Sequence, residues 1–423
     1  MKARLIVLGL LLIAATAVAV GALLRSPGPP AKTRTTTPPV ALTKSKTTQP
    51  TGTDAARETR SATTLREQIS RPSFVNACAS LVKDIDDLRV ELSAVDEADE
   101  AGPEEALQDA LVEAVFGSFD PDPLKLTKLS ASDDPEHLLL AAVQVRKQDD
   151  PKAQKQADQD LAELSKRIAD LGGSNPTFAF TAFQLCSRVT EAERRCDLPR
   201  LRDLVLDVDG DNSQVWAQIA LNLHTAGKTD DALKALRRAA TAPSTNDHYV
   251  EQYEMLVRAF TALNDPPLNE RIIEAVRLAL IARSDGAAIR RLCAQQVVDD
   301  PRWADPCLGY GQHLQTRSVT QFGKMIGHFL ETSVHDALGK SETTEVLRKA
   351  WYAEQSKAVD NVNREYLALV RYDPGLFALL LDQMAVHGEA AAHSRLSEAL
   401  AAFAQHNPEL NCIPDVVAFY EDL

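Results

Sequence analysis

The stretch SQVWAQIALNLHTAGKTDDALKALRRAATAP, from Ser213 to Pro243, decides the fold class. Its apolar residues recur at spacings of three and four, which is typical of amphipathic α-helices. Gly227 interrupts this pattern in a short polar turn, and Pro243 closes it. The small side chains of Ala220 and Ala232 would let two helices approach closely. The stretch therefore predicts two packed antiparallel helices joined by a short turn.

This stretch resembles one unit of the tetratricopeptide repeat, a helix-turn-helix of about 34 residues with small and large residues at set positions. Residues 178–205 fit the family as a degenerate unit, and residues 249–280 fit it as helices without the turn glycine. Stacked units of this kind form a concave surface that binds peptides or proteins. The resemblance implies this repeat core: Trp216, Ile219, Ala220 and Leu223 on the first helix, Gly227 in the turn, and Ala232, Leu236 and Ala239 on the second helix.

Helical periodicity continues on both sides of the repeat unit. Segments that start at Pro103, Pro135 and Pro151 place proline at a predicted helix start, and the last of them stops at Gly172 and Gly173. Later stretches such as SETTEVLRKAWYAEQSKAV and HSRLSEALAAFAQHNP have the same spacing, with short links between them. The sequence therefore predicts an all-α body over residues 72–423, built as a helical-hairpin solenoid or an α/α superhelix.

Charge is distributed unevenly along the 423 residues, whose formal net charge is −14. Residues 1–24 carry two basic residues, and residues 25–71 carry nine basic and three acidic ones. The body from residue 72 onward therefore has a net charge of −22. A body this acidic repels nucleic-acid phosphates, so we do not expect it to bind DNA or RNA.

An apolar run, LIVLGLLLIAATAVAVGALL, occupies residues 5–24 behind Lys2 and Arg4. At about 1.5 Å per helical residue, its 20 residues would just cross a hydrocarbon core of about 30 Å. We predict a signal anchor over residues 1–24. The alternative is a signal peptide that is cleaved near Ala19, after the small residues Ala17 and Ala19.

The segment that follows, residues 25–71, is rich in Thr, Pro and Ser and nearly lacks large apolar side chains. Such a segment cannot bury enough surface to offset the entropy lost on ordering. We predict a disordered basic linker between the membrane segment and the body.

Six cysteines follow the apolar run, and an even number after an export signal is compatible with disulfides. Cys186 and Cys196 fall late in one predicted helix and just before the next, and Cys293 and Cys307 repeat that relation with a longer turn. We predict that each of these pairs clips a helical hairpin; the alternative is that they are small apolar filler. Cys78 and Cys412 remain near the two ends of the body as further disulfide candidates, and their pairing is left open.

Two patterns suggest metal binding but depart from it. DVDGDN, residues 207–212, looks like the start of a calcium loop, yet the sixth position is Asn212 and the twelfth is Gln218 instead of Gly and Glu. We interpret it as a turn in which Asn212 or Ser213 caps the next helix.

His328 and His335 are seven residues apart, whereas zinc-binding pairs on a helix are usually four apart. We therefore predict no metal and no cofactor.

The sequence contains no Gly-x-Ser-x-Gly, no phosphate-binding glycine loop, no His-Glu-x-x-His and no Cys-x-x-Cys. Glu331 and Asp336 near His328 can be drawn as an acid–base set, but any long helix offers such triples. We therefore predict a non-enzymatic binding or scaffold protein, anchored in the inner membrane with its body in the periplasm and an unidentified protein or peptide as its partner. The alternatives are a helical cell-wall hydrolase with an unassigned catalytic carboxylate, or an envelope structural protein.

Overall fold

A computed structural model describes residues 65–95, 123–145, 150–189, 195–263, 267–282, 285–360 and 362–422. These ranges are helical and contain no β-strand; an isolated bridge joins Asn212 and Ser244. The prediction of an all-α body is therefore confirmed. None of the helices in the described ranges is long and apolar enough to cross a membrane.

The α-helices, in chain order, have these bounds: α1 Arg71–Val95, α2 Pro123–Ser130, α3 Pro135–Val143, α4 Pro151–Gly172, α5 Pro176–Ser187, α6 Leu198–Asp209, α7 Ser213–Thr225, α8 Thr229–Thr241, α9 Tyr249–Ala259, α10 Leu268–Ala282, α11 Asp285–Asp299, α12 Ala304–Arg317, α13 Gln321–Ala337, α14 Ser341–Asp360, α15 Arg364–Ala368, α16 Pro374–His387, α17 Glu389–His406 and α18 Ile413–Asp422. Short 3-10 turns at Phe260–Leu263, Pro301–Trp303, Leu369–Tyr372 and Pro408–Leu410 join some of them.

Several helices start at a polar cap followed by proline. The side chains of Asp134, Asp150, Asn175 and Asp373 each accept a hydrogen bond from a backbone N–H of the first turn. Proline fits the next position because the N–H it lacks would have no helical partner there. The helix starts predicted at residues 135 and 151 are confirmed.

Helices α4 to α8 form successive packed pairs: α4 packs on α5, α5 on α6, and α7 on α8. Two backbone hydrogen bonds join the start of α7 to the segment that follows α8. The N–H of Ser213 donates to the carbonyl of Ser244 at 2.9 Å, and the N–H of Ser244 donates to the carbonyl of Asp211 at 3.1 Å. Helix α12 packs on α8, and α13 packs on both α11 and α12.

The two ends of the body meet. Helix α1 packs against α16, α18 and the turn at Leu369–Tyr372, and the rings of Phe74 and Phe403 lie 4.9 Å apart. In a simple open stack, each helix pair contacts only its neighbours in sequence. The contact between first and last elements closes this arrangement instead.

Three disulfides hold the described cysteines: Cys78–Cys412, Cys186–Cys196 and Cys293–Cys307. The two hairpin pairings predicted from spacing are confirmed. The third disulfide, Cys78–Cys412, was left open by the sequence analysis. It links α1 to the start of α18 across a separation of 334 residues.

Residues 1–64 lie outside the described ranges, and with them the predicted membrane segment and most of the predicted linker. The described chain begins inside that linker, where residues 65–68 are helical. Leu65 and Ile69 are buried against the core. The folded body therefore includes residues 65–71, which the composition had assigned to the linker.

Candidate functional site

A cleft opens between α5, α7, α11, α12, α13 and the turn before α9. Its empty volume is about 550 Å³, including the part that is open to solvent. The centres of water-sized groups can occupy only about 50 Å³ of this space, so the cleft is narrow. Ligand-binding clefts in general combine apolar walls with a few placed polar groups. The lining residues are Phe180, Gln184, Gln214, Ala217, Gln218, Leu221, Asp247, Gly286, Ile289, Tyr310, Phe322, Gly323 and Ile326.

Three glutamines are among the polar residues that line the cleft. Gln184 on α5 is only 6% exposed, yet among the described residues its side-chain amide has no hydrogen-bond partner. Gln218 on α7 is equally buried and makes one long bond of 3.4 Å, to Oδ1 of Asn222. One turn earlier, Oε1 of Gln214 accepts a hydrogen bond from the hydroxyl of Tyr310 at 3.0 Å. The cleft thus presents amide donors and acceptors that are not used up inside the protein.

Asp247 is the single charged residue among the lining residues. Its Oδ2 accepts a hydrogen bond from the hydroxyl of Thr320 at 2.8 Å, and its Oδ1 accepts one from the N–H of Tyr249 at 3.3 Å. These two bonds fix the direction of the carboxylate. Burial raises the pKa of the neighbouring Tyr310, and the charge of Asp247 raises it further.

A buried polar chain holds the turn that carries Asp247. Nε2 of His248 lies 2.9 Å from Oδ2 of Asp209, and Nδ1 lies 3.2 Å from the hydroxyl of Thr177. His248 has the left-handed backbone angle φ of 54°, which is uncommon outside glycine. The ring of Phe180, which lines the cleft, lies 5.2 Å from the imidazole.

The order carboxylate, imidazole, hydroxyl in this chain matches that of a hydrolytic triad. However, His248 and Thr177 are each only 3% exposed, so a substrate cannot reach the hydroxyl. We conclude that Asp209, His248 and Thr177 act as a support behind the cleft. Sequence reasoning missed this role, since the three residues come from separate elements.

The DVDGDN segment forms a turn and a helix cap. Oδ1 of Asn212 accepts a hydrogen bond from the N–H of Gln214 at 3.0 Å, which confirms the predicted cap of α7. The amide of Asn212 also donates to Asp209 at 2.8 Å and to the carbonyl of Asn246 at 2.6 Å. Within the described ranges, no group of three or more His, Cys, Asp or Glu residues could hold a metal ion.

His328, Glu331 and Asp336 on α13, the possible acid–base set of the sequence analysis, do not form a solvent-accessible site. His328 and Glu331 are both buried, and the ring of His328 stacks on Trp351 at 4.8 Å. The two carboxylate oxygens of Glu331 accept hydrogen bonds from the amides of Gln312 and Gln315, at 3.0 and 2.7 Å. Asp336 pairs with Arg348 on α14 at 2.9 Å. Each group is thus engaged in holding α13 to its neighbours.

The residues of the predicted repeat core lie on α7, α8 and the turn between them. Gly227 has φ of 75°, a backbone angle that side chains rarely adopt, and a Cβ there would meet no neighbour. Trp216 is partly exposed and donates its indole N–H to the carbonyl of Gly210 at 2.7 Å. Leu223 is also partly buried, and the remaining five are buried: Ile219, Ala220, Ala232, Leu236 and Ala239.

No protein-family model, no curated protein and no solved structure matches the chain. The class that the fold and the cleft define is an all-α, disulfide-linked protein with a narrow cleft between helices that is lined by apolar and polar side chains.

Proposed function

We propose that the protein is a membrane-tethered periplasmic binding or scaffold protein whose cleft holds an extended segment of a partner protein. The observation that carries this proposal is the row of glutamine amides with unused hydrogen-bonding capacity. A side-chain amide offers the same donor and acceptor pair as a peptide bond. Gln184, Gln214 and Gln218 would therefore pair with the backbone of an extended peptide.

The repeat-like pair α7–α8 supports the same proposal. It contributes four of the lining residues through one helix face: Gln214, Ala217, Gln218 and Leu221. Their spacing of three and four residues places them on one side of α7. A tetratricopeptide-like arrangement would present this side to a bound peptide, as such helix pairs do on their concave surface.

The cleft suits binding better than glycoside hydrolysis. Glycosidases of the usual kind need two carboxyl groups facing the scissile bond, one as acid and one as base or nucleophile. Asp247 is the single carboxylate among the lining residues. The hydrolase alternative would therefore need a second carboxylate from outside this cleft.

The periplasmic placement rests on the disulfides and on the apolar run at residues 5–24. Disulfides persist in oxidising compartments and are rare in the cytosol. A reporter enzyme that is active only after export, fused to the C-terminus, should be active. Intact-mass analysis would separate an uncleaved anchor from a peptide cleaved after Ala19.

Site-specific photocrosslinking tests the binding function. A benzoyl-phenylalanine at Leu221, partly exposed at the cleft, should capture a partner in cells, and mass spectrometry of the adduct should identify one recurrent segment. The control position is Val298, which is 63% exposed and lies outside the lining. Equal labelling from both positions, or none from Leu221, would show that the cleft is not a binding site and would favour the envelope structural role.

A further inference from the structure

We propose that the Cys78–Cys412 disulfide is a redox-sensitive latch, which a dithiol reductant opens by attack on Sγ of Cys412 while the rest of the body stays folded. This inference goes beyond the proposed binding function and does not depend on it. The latch joins α1 to the residue that precedes α18, across a separation of 334 residues. Its opening would free α1 from α18.

The Cys78–Cys412 disulfide keeps some solvent exposure, and the two hairpin disulfides keep none. Cys78 is 6% exposed and Cys412 is 9% exposed. The four hairpin cysteines are each 0% exposed: Cys186, Cys196, Cys293 and Cys307. Thiol–disulfide exchange requires that the attacking thiolate reach one of the two sulfur atoms. A reductant should therefore break the Cys78–Cys412 bond before the other two.

Of the two cysteines in the latch, Cys412 has the more open position. Cys78 lies inside α1, whereas Cys412 lies in the short connection between the 3-10 turn Pro408–Leu410 and α18. Glu409 and Pro414, on either side of Cys412 in the sequence, are both exposed. A reductant would approach Cys412 from this side.

The start of α18 favours a thiolate at Cys412. The carbonyl of Cys412 accepts hydrogen bonds from the N–H groups of Asp415 and Val416, at 3.1 and 3.3 Å, so Cys412 caps the helix. The partial positive charge at a helix N-terminus stabilises a cysteine thiolate. The carboxylate of Asp415 opposes this effect, but it is exposed, so water and salt screen it.

The exchange takes place in two steps. A thiolate of the dithiol bonds to Sγ of Cys412, the bond between the two cysteines breaks, and Cys78 leaves as a thiolate that takes up a proton from water. The second thiol of the dithiol loses its proton and attacks the reductant's own sulfur in the mixed disulfide. Cys412 is then displaced as a thiolate and protonated. Two electrons and two protons thus pass to the cysteine pair, and the dithiol becomes a disulfide.

The contacts that remain after reduction hold α1 more weakly. The rings of Phe74 and Phe403 still pack at 4.9 Å. Arg71 and Glu409 form an ion pair at 3.0 Å, but both side chains are more than half exposed, and such pairs contribute little to stability. We therefore expect α1 to open locally and more often, without unfolding of the body.

The first test uses the full-length oxidised protein and dithiothreitol at neutral pH without denaturant. Thiols that form are alkylated with N-ethylmaleimide and located by peptide mass spectrometry. Cys78 and Cys412 should be labelled at least about tenfold faster than the four hairpin cysteines, with an unchanged circular dichroism spectrum. With glutathione, a monothiol, the first trapped adduct should be on Cys412. Equal labelling rates, labelling only as the spectrum is lost, or a first adduct on Cys78 would each overturn the proposal.

The second test measures amide hydrogen exchange in α1. Reduction of the wild-type protein should speed this exchange at least about tenfold, and Cys78→Ser with Cys412→Ser should reproduce the effect without reductant. The control, Cys186→Ser with Cys196→Ser, should keep α1 protected until dithiothreitol is added. The measurement on reduced wild-type protein needs no substitution, so it decides the question even where a variant does not fold. Unchanged exchange of α1 after reduction would show that this disulfide is not a latch.

Discussion

A Cβ atom on Gly327 would lie 2.5 Å from the carbonyl oxygen of Gly311, so α12 and α13 cross with their backbones in direct contact. The same atom would lie 2.8 Å from Cβ of Leu314 and 2.9 Å from the N–H nitrogen of Gln315. Helix α13 carries Phe322 and Ile326 on one side of this crossing, so the close approach also sets the width of the cleft.

Gly327→Ala should therefore destabilise the protein. Backbone atoms cannot rotate away from the new methyl group, so the helices must separate, at a cost of about 1–3 kcal/mol. Chemical unfolding followed by circular dichroism would measure the loss. Gly309→Ala is the matched control on α12, because its methyl group would meet only Cβ of Ala240, at 3.3 Å. Equal stability of the two variants would mean that the crossing is wider than described.

Ala220→Leu tests the close packing of α7 on α8. Ala220 is fully buried, and a larger side chain must push the helix pair apart, which costs about 1–3 kcal/mol. The melting temperature of the variant should fall below that of Ala350→Leu, where the alanine is exposed on α14. If Ala220→Leu melts like the wild type, α7 and α8 do not form the tight pair that the repeat resemblance implies.

The contribution of each disulfide to stability should increase with the length of the loop that it closes. In the chain-entropy model, the Cys78–Cys412 link restrains a loop of 334 residues and contributes about 6 kcal/mol. The Cys186–Cys196 link, with a separation of 10, contributes about 3 kcal/mol. Replacing each pair by serine and measuring unfolding would test the order.

Non-reducing peptide mapping of the exported protein supplies the matching control. It should recover the three linked peptides, each of which separates only on reduction. Free thiols at Cys186 and Cys196 would contradict the hairpin clip and with it the argument for an oxidising compartment.

Acid should weaken the packing of α14 through His328. Burial lowers the pKa of His328 below its ordinary 6.5, and the nearby charge of Glu331 offsets only part of this. The folded state therefore holds the neutral imidazole, while the unfolded chain takes up a proton once the pH falls below 6.5. Stability should decrease as the pH falls through this range towards the folded-state pKa.

His328→Phe removes the titration and keeps a ring against Trp351. Between pH 7.5 and 5.5, this variant should lose less unfolding free energy than the wild type, as measured by tryptophan fluorescence in urea. Tyr352→Phe, at an exposed position on α14 next to Trp351, should keep the wild-type pH profile. A steeper pH dependence in His328→Phe would contradict the assignment.

The parts of the fold that depend on local chemistry could be predicted from the sequence. Proline after an acidic cap marks the starts at Pro135 and Pro151, and glycine marks the turn at Gly227, where φ is 75°. Cys186 and Cys196 are close in sequence, so their hairpin limits the choice of partner. The contact between α1 and the last helices could not be predicted, because periodicity carries no information on which distant faces meet.

The cleft was missed for the same physical reason. Gln184, Gln214 and Asp247 come from separate elements, and each reads as an ordinary polar residue in its own segment. One signal was available in the repeat unit. Gln214 and Gln218 are four residues apart on one helix, and their neighbours Val215, Ala217 and Ile219 are buried. Two polar side chains on one side of a largely buried helix indicate a polar contact or an opening next to that side.

Binding of the cross-linked partner segment to a double variant, Gln184→Leu with Gln218→Leu, tests the central claim most directly. Leucine has nearly the volume of glutamine but cannot pair with a peptide backbone. The segment identified by cross-linking at Leu221 should bind the double variant at least about thirty-fold more weakly, because each unpaired buried peptide group costs about 1–3 kcal/mol. Gln156→Leu, an exposed glutamine on α4, should bind like the wild type. Unchanged affinity in a folded double variant would contradict the claim that glutamine amides hold the partner.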